Sequence, residues 1–156
     1  MNTFATIASL MTDHRHLVTV NPEDSLLKVK EIFDTHKFHH IPVVRFREII
    51  GIISKTDFVH FLGGASLYEH DRFINESRLK RTLAKDIMTS GLGKVEPDDR
   101  LNVALEIFCG NWFHALPVVQ DGELVGIITP YDIMRALLDE KPIAPHLVYE
   151  DQSSTL

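Results

Sequence analysis

A stretch of twenty residues occurs twice in this 156-residue chain, and the fold has to be read from that. FHHIPVVRFREIIGIISKTD, Phe38 to Asp57, returns as FHALPVVQDGELVGIITPYD, Phe113 to Asp132. Carrying the same offset without a gap from Val20 to Leu62 onto Val95 to Leu137 gives 18 identities in 43 positions, too many for coincidence. They include Pro22/Pro97, Phe33/Phe108, Pro42/Pro117, Gly51/Gly126 and Asp57/Asp132. Upstream, Leu10-Met11-Thr12 matches Ile87-Met88-Thr89 if two extra residues are allowed in the first copy. The chain therefore divides into a repeat over 7–62, a linker over 63–83, a second repeat over 84–138 and a tail over 139–156. The linker is polar with a few apolar residues (Leu67, Tyr68, Phe73, Ile74) and reads as a mobile loop or short helix. Pro142, Pro145 and the polar run 151–155 mark the tail as frayed.

Within each copy the periodicity changes in a fixed order. A short β-like run (Leu17 to Val20; Lys94-Val95) is broken by Pro22 or Pro97, after which Asp24 or Ser25, and Asp99, can cap a helix. Leu26, Val29, Ile32 and Phe33, matched by Leu101, Ala104, Ile107 and Phe108, recur at helical spacing. Two β-branched runs follow, Ile41 to Val44 and Ile49 to Ile53, matched by Leu116 to Val119 and Leu124 to Ile128. The turn between them is Arg45-Phe46-Arg47-Glu48 in one copy and Gln120-Asp121-Gly122-Glu123 in the other. Only the second has the Asp-Gly of a tight hairpin, so the first loop is expected to differ. A last helix spans about Thr56 to Leu62 and Tyr131 to Leu138, and each unit reads β-α-β-β-α.

One such unit leaves a face of its sheet bare and is marginal alone. The expected fold is therefore α+β, with the two units packed sheet to sheet about a pseudo-two-fold axis that creates two related clefts, where ligands commonly lie. Trp112, Phe113, Phe38 and the Ile/Val runs are assigned to the core. Walls for a flat apolar ligand are expected at the strand edges formed by Thr19 and Val20 and by Lys94 and Val95.

Composition removes several functions. Sixteen Lys+Arg against 22 Asp+Glu give a net charge of -6 with no basic block, which disfavours wrapping nucleic acid. Cys109 stands alone, without a disulfide partner or the companions of a zinc site, and suits a reducing interior. No run approaches the roughly 18 apolar residues of a membrane span, and Met1 to Leu10 lacks the basic flank of a secretion signal. A cytoplasmic location away from membranes is expected.

The tetrads Ser54-Lys55-Thr56-Asp57 and Thr129-Pro130-Tyr131-Asp132 each end a strand and open a helix. As structure, Ser54 and Thr129 are helix caps, each Asp holds the capping-box position, and Pro130 occupies the first helical residue. As a binding site, the same hydroxyl and free amides suit a phosphate, and a carboxylate one turn in can accept from ribose hydroxyls. No nucleophile stands beside a base in sequence, so catalysis has no support.

An Ile-Met-Thr lead, a Pro-started helix, His-x-[Ile/Leu]-Pro-Val-Val and Gly-Ile-Ile-[Ser/Thr]-x-x-Asp, present twice in order, resemble the cystathionine β-synthase (CBS) domain pair over about Ile7 to Leu138. The resemblance implies a regulatory module, not an enzyme, that requires no cofactor and binds an adenosine-containing effector (AMP, ADP, ATP, NAD or S-adenosylmethionine) between the repeats. It implies phosphate and ribose contacts from Ser54 and Asp57 in one cleft and from Thr129 and Asp132 in the other. Residues before Pro-Val-Val, here His39-His40 and His114-Ala115, occupy a slot from which similar proteins point basic side chains at phosphates. Capping or packing at the helix-to-strand turn is the competing role for His39 and His114.

The copies are not equivalent, because Lys55 faces Pro130 and His40 faces Ala115 in the alignment. The first cleft is therefore expected to prefer the more highly charged phosphate chain. A metal set built on His36, His39 and His40 lacks a completing carboxylate or cysteine. Phe58, Val59, Phe61 and Leu62, with Ile133, Met134, Leu137 and Leu138, cover more than one helical face and point to a homodimer. With the repeats filling the chain, the output is expected to reach an unidentified regulated protein. The alternative is a structural or assembly protein whose clefts stay empty.

Overall fold

The computed structural model describes residues 5–63, 76–110 and 113–139. Leu67, Tyr68, Phe73, Ile74, Trp112 and the tail beyond Asp139 lie outside them. In chain order the elements are β1 (Thr12–Asp13), α1 (Leu26–Thr35), β2 (His40–Arg45), β3 (Glu48–Ser54), α2 (Lys55–Leu62), α3 (Ala84–Ile87), α4 (Leu101–Cys109), β4 (Leu116–Gln120), β5 (Glu123–Ile128) and α5 (Pro130–Asp139), with 3-10 turns at Ile7–Ser9 and His14–His16. Strands β2 and β3 form one antiparallel hairpin and β4 and β5 the other, each with a register shift at its second Val-Val residue.

The β-like run before each proline contributes a single parallel bridge, Val20 to Val43 and Val95 to Val118, rather than a full strand. Asn21 and Glu96 donate their backbone N–H to Asp24 and Asp99 at 2.8 Å, so these carboxylates close the proline turn instead of capping a helix. The caps of α1 and α4 are Ser25 and Arg100, neither with a side-chain cap bond.

The lead segments are exchanged. Ile7 and Ala8 donate to the carbonyls of Asp99 and Pro97 in the second unit, while Ala84 and Lys85 donate to those of Asp24 and Pro22 in the first. Thr12 pairs with Ile127 and Thr89 with Ile52. Burial follows the exchange: Ile7 belongs to the core of Val95, Leu101, Leu116 and Ile128, and Ala84 to that of Leu26, Val29, Ile41 and Ile53. With Ile7 fully buried, its side chain alone ties the segment down by about 1.5–3 kcal/mol. A third cluster, Ile49, Ile52, Ala115 and Ile127, joins the two hairpins face to face.

The first hairpin loop does not differ from the second. Phe46 and Arg47 hold φ of 49° and 71°, matching Asp121 and Gly122 at 51° and 82°, so both copies make the same two-residue turn. A non-glycine residue there costs about 1–2 kcal/mol. Offsetting contacts come from across the interface, where Leu124 N–H donates to the Arg47 carbonyl at 2.9 Å and the Arg47 guanidinium meets Glu123 at 3.0 Å.

The surplus helical face is narrower than its sequence suggests. Phe58 and Ile133 turn inward and are 4% exposed, and Phe61 lies under the Arg78 guanidinium, 4.0 Å from the ring centre. What remains open is mainly on α5: Tyr131, Met134, Leu137 and Leu138, with Val59 on α2.

Candidate functional site

Each tetrad begins where a strand ends in extended backbone, with Ser54 at φ -81° and ψ 153°, and the hydroxyl side chain starts the following helix. Ser54 Oγ accepts from Asp57 N–H at 3.0 Å and donates to Asp57 Oδ2 at 2.6 Å. In the second copy Thr129 donates twice to Asp132 Oδ2, from its N–H at 2.8 Å and its Oγ1 at 2.6 Å, and the return bond from Asp132 N–H is 3.4 Å. The capping geometry is therefore present in both copies.

Capping does not use the two carboxylates equally. Asp57 is exposed, and its Oδ1 has no hydrogen bond among the described residues. Asp132 is half-buried, and its Oδ1 accepts from Thr12 Oγ1 at 3.4 Å. Thr12 arrives on the exchanged lead segment; its mirror residue Thr89 makes no such bond to Asp57. Sequence reasoning missed this contact, because the Met-Thr pair served only to mark the repeat.

The histidines gather beside the first tetrad. His40 lies opposite Ser54 in the β2–β3 ladder, and the Lys55 N–H donates to the His39 carbonyl at 2.8 Å. His40 is half-buried, whereas His39 and His114 are exposed. Burial pushes the His40 imidazole below its ordinary value; the nearby His39 and His114 lower it further, and Asp57 opposes them. His114 thus reaches the field of His40 from the other unit. His36 has a separate task, stacking on Phe38 at 4.9 Å with Nδ1 on the Thr35 hydroxyl at 2.8 Å and the Ile32 carbonyl at 3.2 Å. Among the described residues no three His, Cys, Asp or Glu side chains come close enough to hold a metal ion.

A cavity of about 450 Å³ opens between the end of α1 and the start of α2, walled by Phe33, Asp34, His36, Phe38, His39 and Lys55. Among the described residues its walls all come from the first unit. Thr19 and Lys94 are exposed at the strand edges expected to wall a flat ligand, but Val20 and Val95 are core residues, 2% and 4% exposed. Their backbone groups are also spent: Val20 donates to Pro42 and accepts from Val44, and Val95 donates to Pro117 and accepts from Val119. Among the described residues no helix is long and apolar enough to cross a membrane.

The family model for the CBS domain matches residues 7–64 and again 84–139. Among curated proteins, uncharacterized protein MJ1225 of Methanocaldococcus jannaschii is 29% identical over 139 residues, 83% of this chain and 49% of that protein. An inosine-5'-monophosphate dehydrogenase of Korarchaeum cryptofilum is 32% identical over 120 residues, 76% of this chain and 22% of the enzyme. The chain thus spans half of one relative and about a fifth of the other. Among solved structures, CBSX2 of Arabidopsis thaliana superposes with a TM-score of 0.74 at 27% identity, covering 88% of this chain and 96% of that one. CBSX2 crystallised in complex with AMP gives a TM-score of 0.71 at 27% identity over 88% of this chain and 98% of that one.

Proposed function

Because this chain belongs to the CBS domain family, matched by both of its repeats, we propose that it is a regulatory module whose clefts take an adenosine-containing effector and whose occupancy is read by a partner protein. AMP, ADP, ATP, NAD and S-adenosylmethionine are the ligands of that class. The observation that carries this reading is the duplicated hydroxyl and carboxylate at the start of α2 and α5, with Asp57 Oδ1 left open in the first copy. A helix N-terminus favours phosphate, and an ionised carboxylate beside it suits two ribose hydroxyls. Ser54, Lys55, Asp57, His39 and His40 serve the first cleft, and Thr129, Asp132 and His114 the second. The ligand acts as effector, and no catalytic role is assigned to any residue. Melting with each ligand tests the reading, since a ligand at 100 times its Kd adds about 2.7 kcal/mol to the folded state. A rise of several degrees with one of the five is the expected result. No shift with any of them would leave the tetrads as helix caps and the chain as a structural or assembly protein.

The open face of α5 is covered, in this reading, by a second copy of the chain. Tyr131, Met134 and Leu138 are 62%, 55% and 80% exposed and stand at positions i, i+3 and i+7, a single apolar stripe. A closed two-fold pairing sets one stripe against its twin. Light scattering should give twice the 17.8 kDa chain mass, and Leu138→Glu should halve it. A parent at the mass of one chain would sink the dimer.

A further inference from the structure

The first tetrad has a histidine beside it that the second lacks. His40 stands opposite Ser54 on β2, with its imidazole half-buried. The charged groups that reach it come from three elements: His39 from its own turn, His114 from the corresponding turn of the other unit, and Asp57 from the first turn of α2. Lys55 heads the same helix and is held to His39 through the backbone. A protonated His40 would be partly desolvated on the strand that pairs with Ser54. Burial first, then His39 and His114, lower the proton affinity of His40 from its ordinary value, and Asp57 opposes them. A phosphate chain seated over Ser54 and Lys55 reverses that balance, since each added negative charge favours the imidazolium form and offsets the repulsion between histidines. The second copy has Ala115 where the first has His40. The duplication has kept this device on one side only.

We propose that the phosphate chain of the effector enters the first cleft together with a proton taken up by His40, so that this cleft reads pH as well as nucleotide charge. The proposal rests on the nucleotide reading above and adds its regulation. Lower pH makes binding tighter, because proton and phosphate enter together, and by linkage a bound phosphate chain raises the proton affinity of His40. The gain belongs to the phosphates and not to the nucleoside.

Calorimetric titration of the full chain with ATP and with adenosine at pH 7, in two buffers of different ionisation enthalpy, counts the protons exchanged. The parent should take up about half a proton more per ATP than His40→Ala, which places the residue of the second copy at this position. Comparing the two proteins cancels the protonation of ATP itself. His40→Gln, which keeps a polar side chain that does not titrate, should behave like His40→Ala and guards against a fold defect. Between pH 8 and pH 6 the ATP affinity of the parent should improve several-fold relative to either variant, toward the tenfold limit that one unit of pKa shift sets. Adenosine should bind with no difference in proton uptake between parent and variants. ATP binding with equal proton uptake in all three proteins would overturn the proton coupling and leave the nucleotide reading standing. Failure of both ATP and adenosine to bind would overturn this inference, and the melts with all five ligands then decide the nucleotide reading.

Discussion

Gly126→Ala should destabilise the protein by about 2–4 kcal/mol, while Gly51→Ala at the matching position should cost about 1–2 kcal/mol. Both glycines lie under an exchanged lead segment, and both are buried. A Cβ on Gly126 would fall 2.8 Å from the Thr12 carbonyl oxygen and 2.6 Å from Met11 Sδ. The first of these is backbone held in the β1–β5 pairing, Thr12 to Ile127 and Asp13 to Gly126, and it cannot withdraw without breaking that pairing. At Gly51 the three nearest atoms belong to the Met88 side chain: Sδ and Cγ can swing with the rotamer of the unbranched thioether, whereas Cβ, at 3.0 Å, moves only with its backbone. Urea melts of the two variants decide the matter. Equal small losses would mean that the lead segment is not seated on β5, and the account of the exchange would fail.

The duplication made the repeat unit, its element order and the tetrads legible, because both copies carry the same pattern and each confirms the other. The exchange of lead segments was not legible. Ile7 and Ala84 have the same burial in either unit, and nothing in their local sequence says which core they enter. The turn at Phe46 and Arg47 was misread for a related reason: turn chemistry is a local preference, and here it is overridden by Leu124 and Glu123 of the other unit. In α2 the run Phe58, Val59, Phe61 and Leu62 is apolar nearly all round, so periodicity could not separate the inward Phe58 from the outward Val59. Val20 and Val95 were placed at the cleft as part of a β-like run, whereas alternation turns both into the core and leaves Thr19 and Lys94 outside. The difference between Asp57 and Asp132 depends on Thr12, a residue 120 positions away from Asp132 in sequence.

That difference sets the size of the largest binding effect. Asp57→Ala is expected to weaken the adenosine ligand by about 10–100-fold, the loss of a hydrogen-bonded charged acceptor worth about 1.5–3 kcal/mol. Its cost to the fold should be small, because Ser54 Oγ still accepts from the backbone N–H of residue 57. Asp132→Ala should show the reverse balance. It orphans the Thr129 N–H, which is half of the capping box, and releases Thr12, so it should lower stability by about 0.5–2 kcal/mol. Its effect on binding should be weaker, because a ligand entering the second cleft must first displace Thr12 from Asp132 Oδ1. Thr12→Val removes that competitor and should tighten the second cleft while leaving the first unchanged. Calorimetric titration of the three variants, read beside their thermal melts, separates ligand contact from capping. If Asp57→Ala bound like the parent, or if Asp132→Ala lost more affinity than Asp57→Ala, the open oxygen on Asp57 would not be the ribose contact.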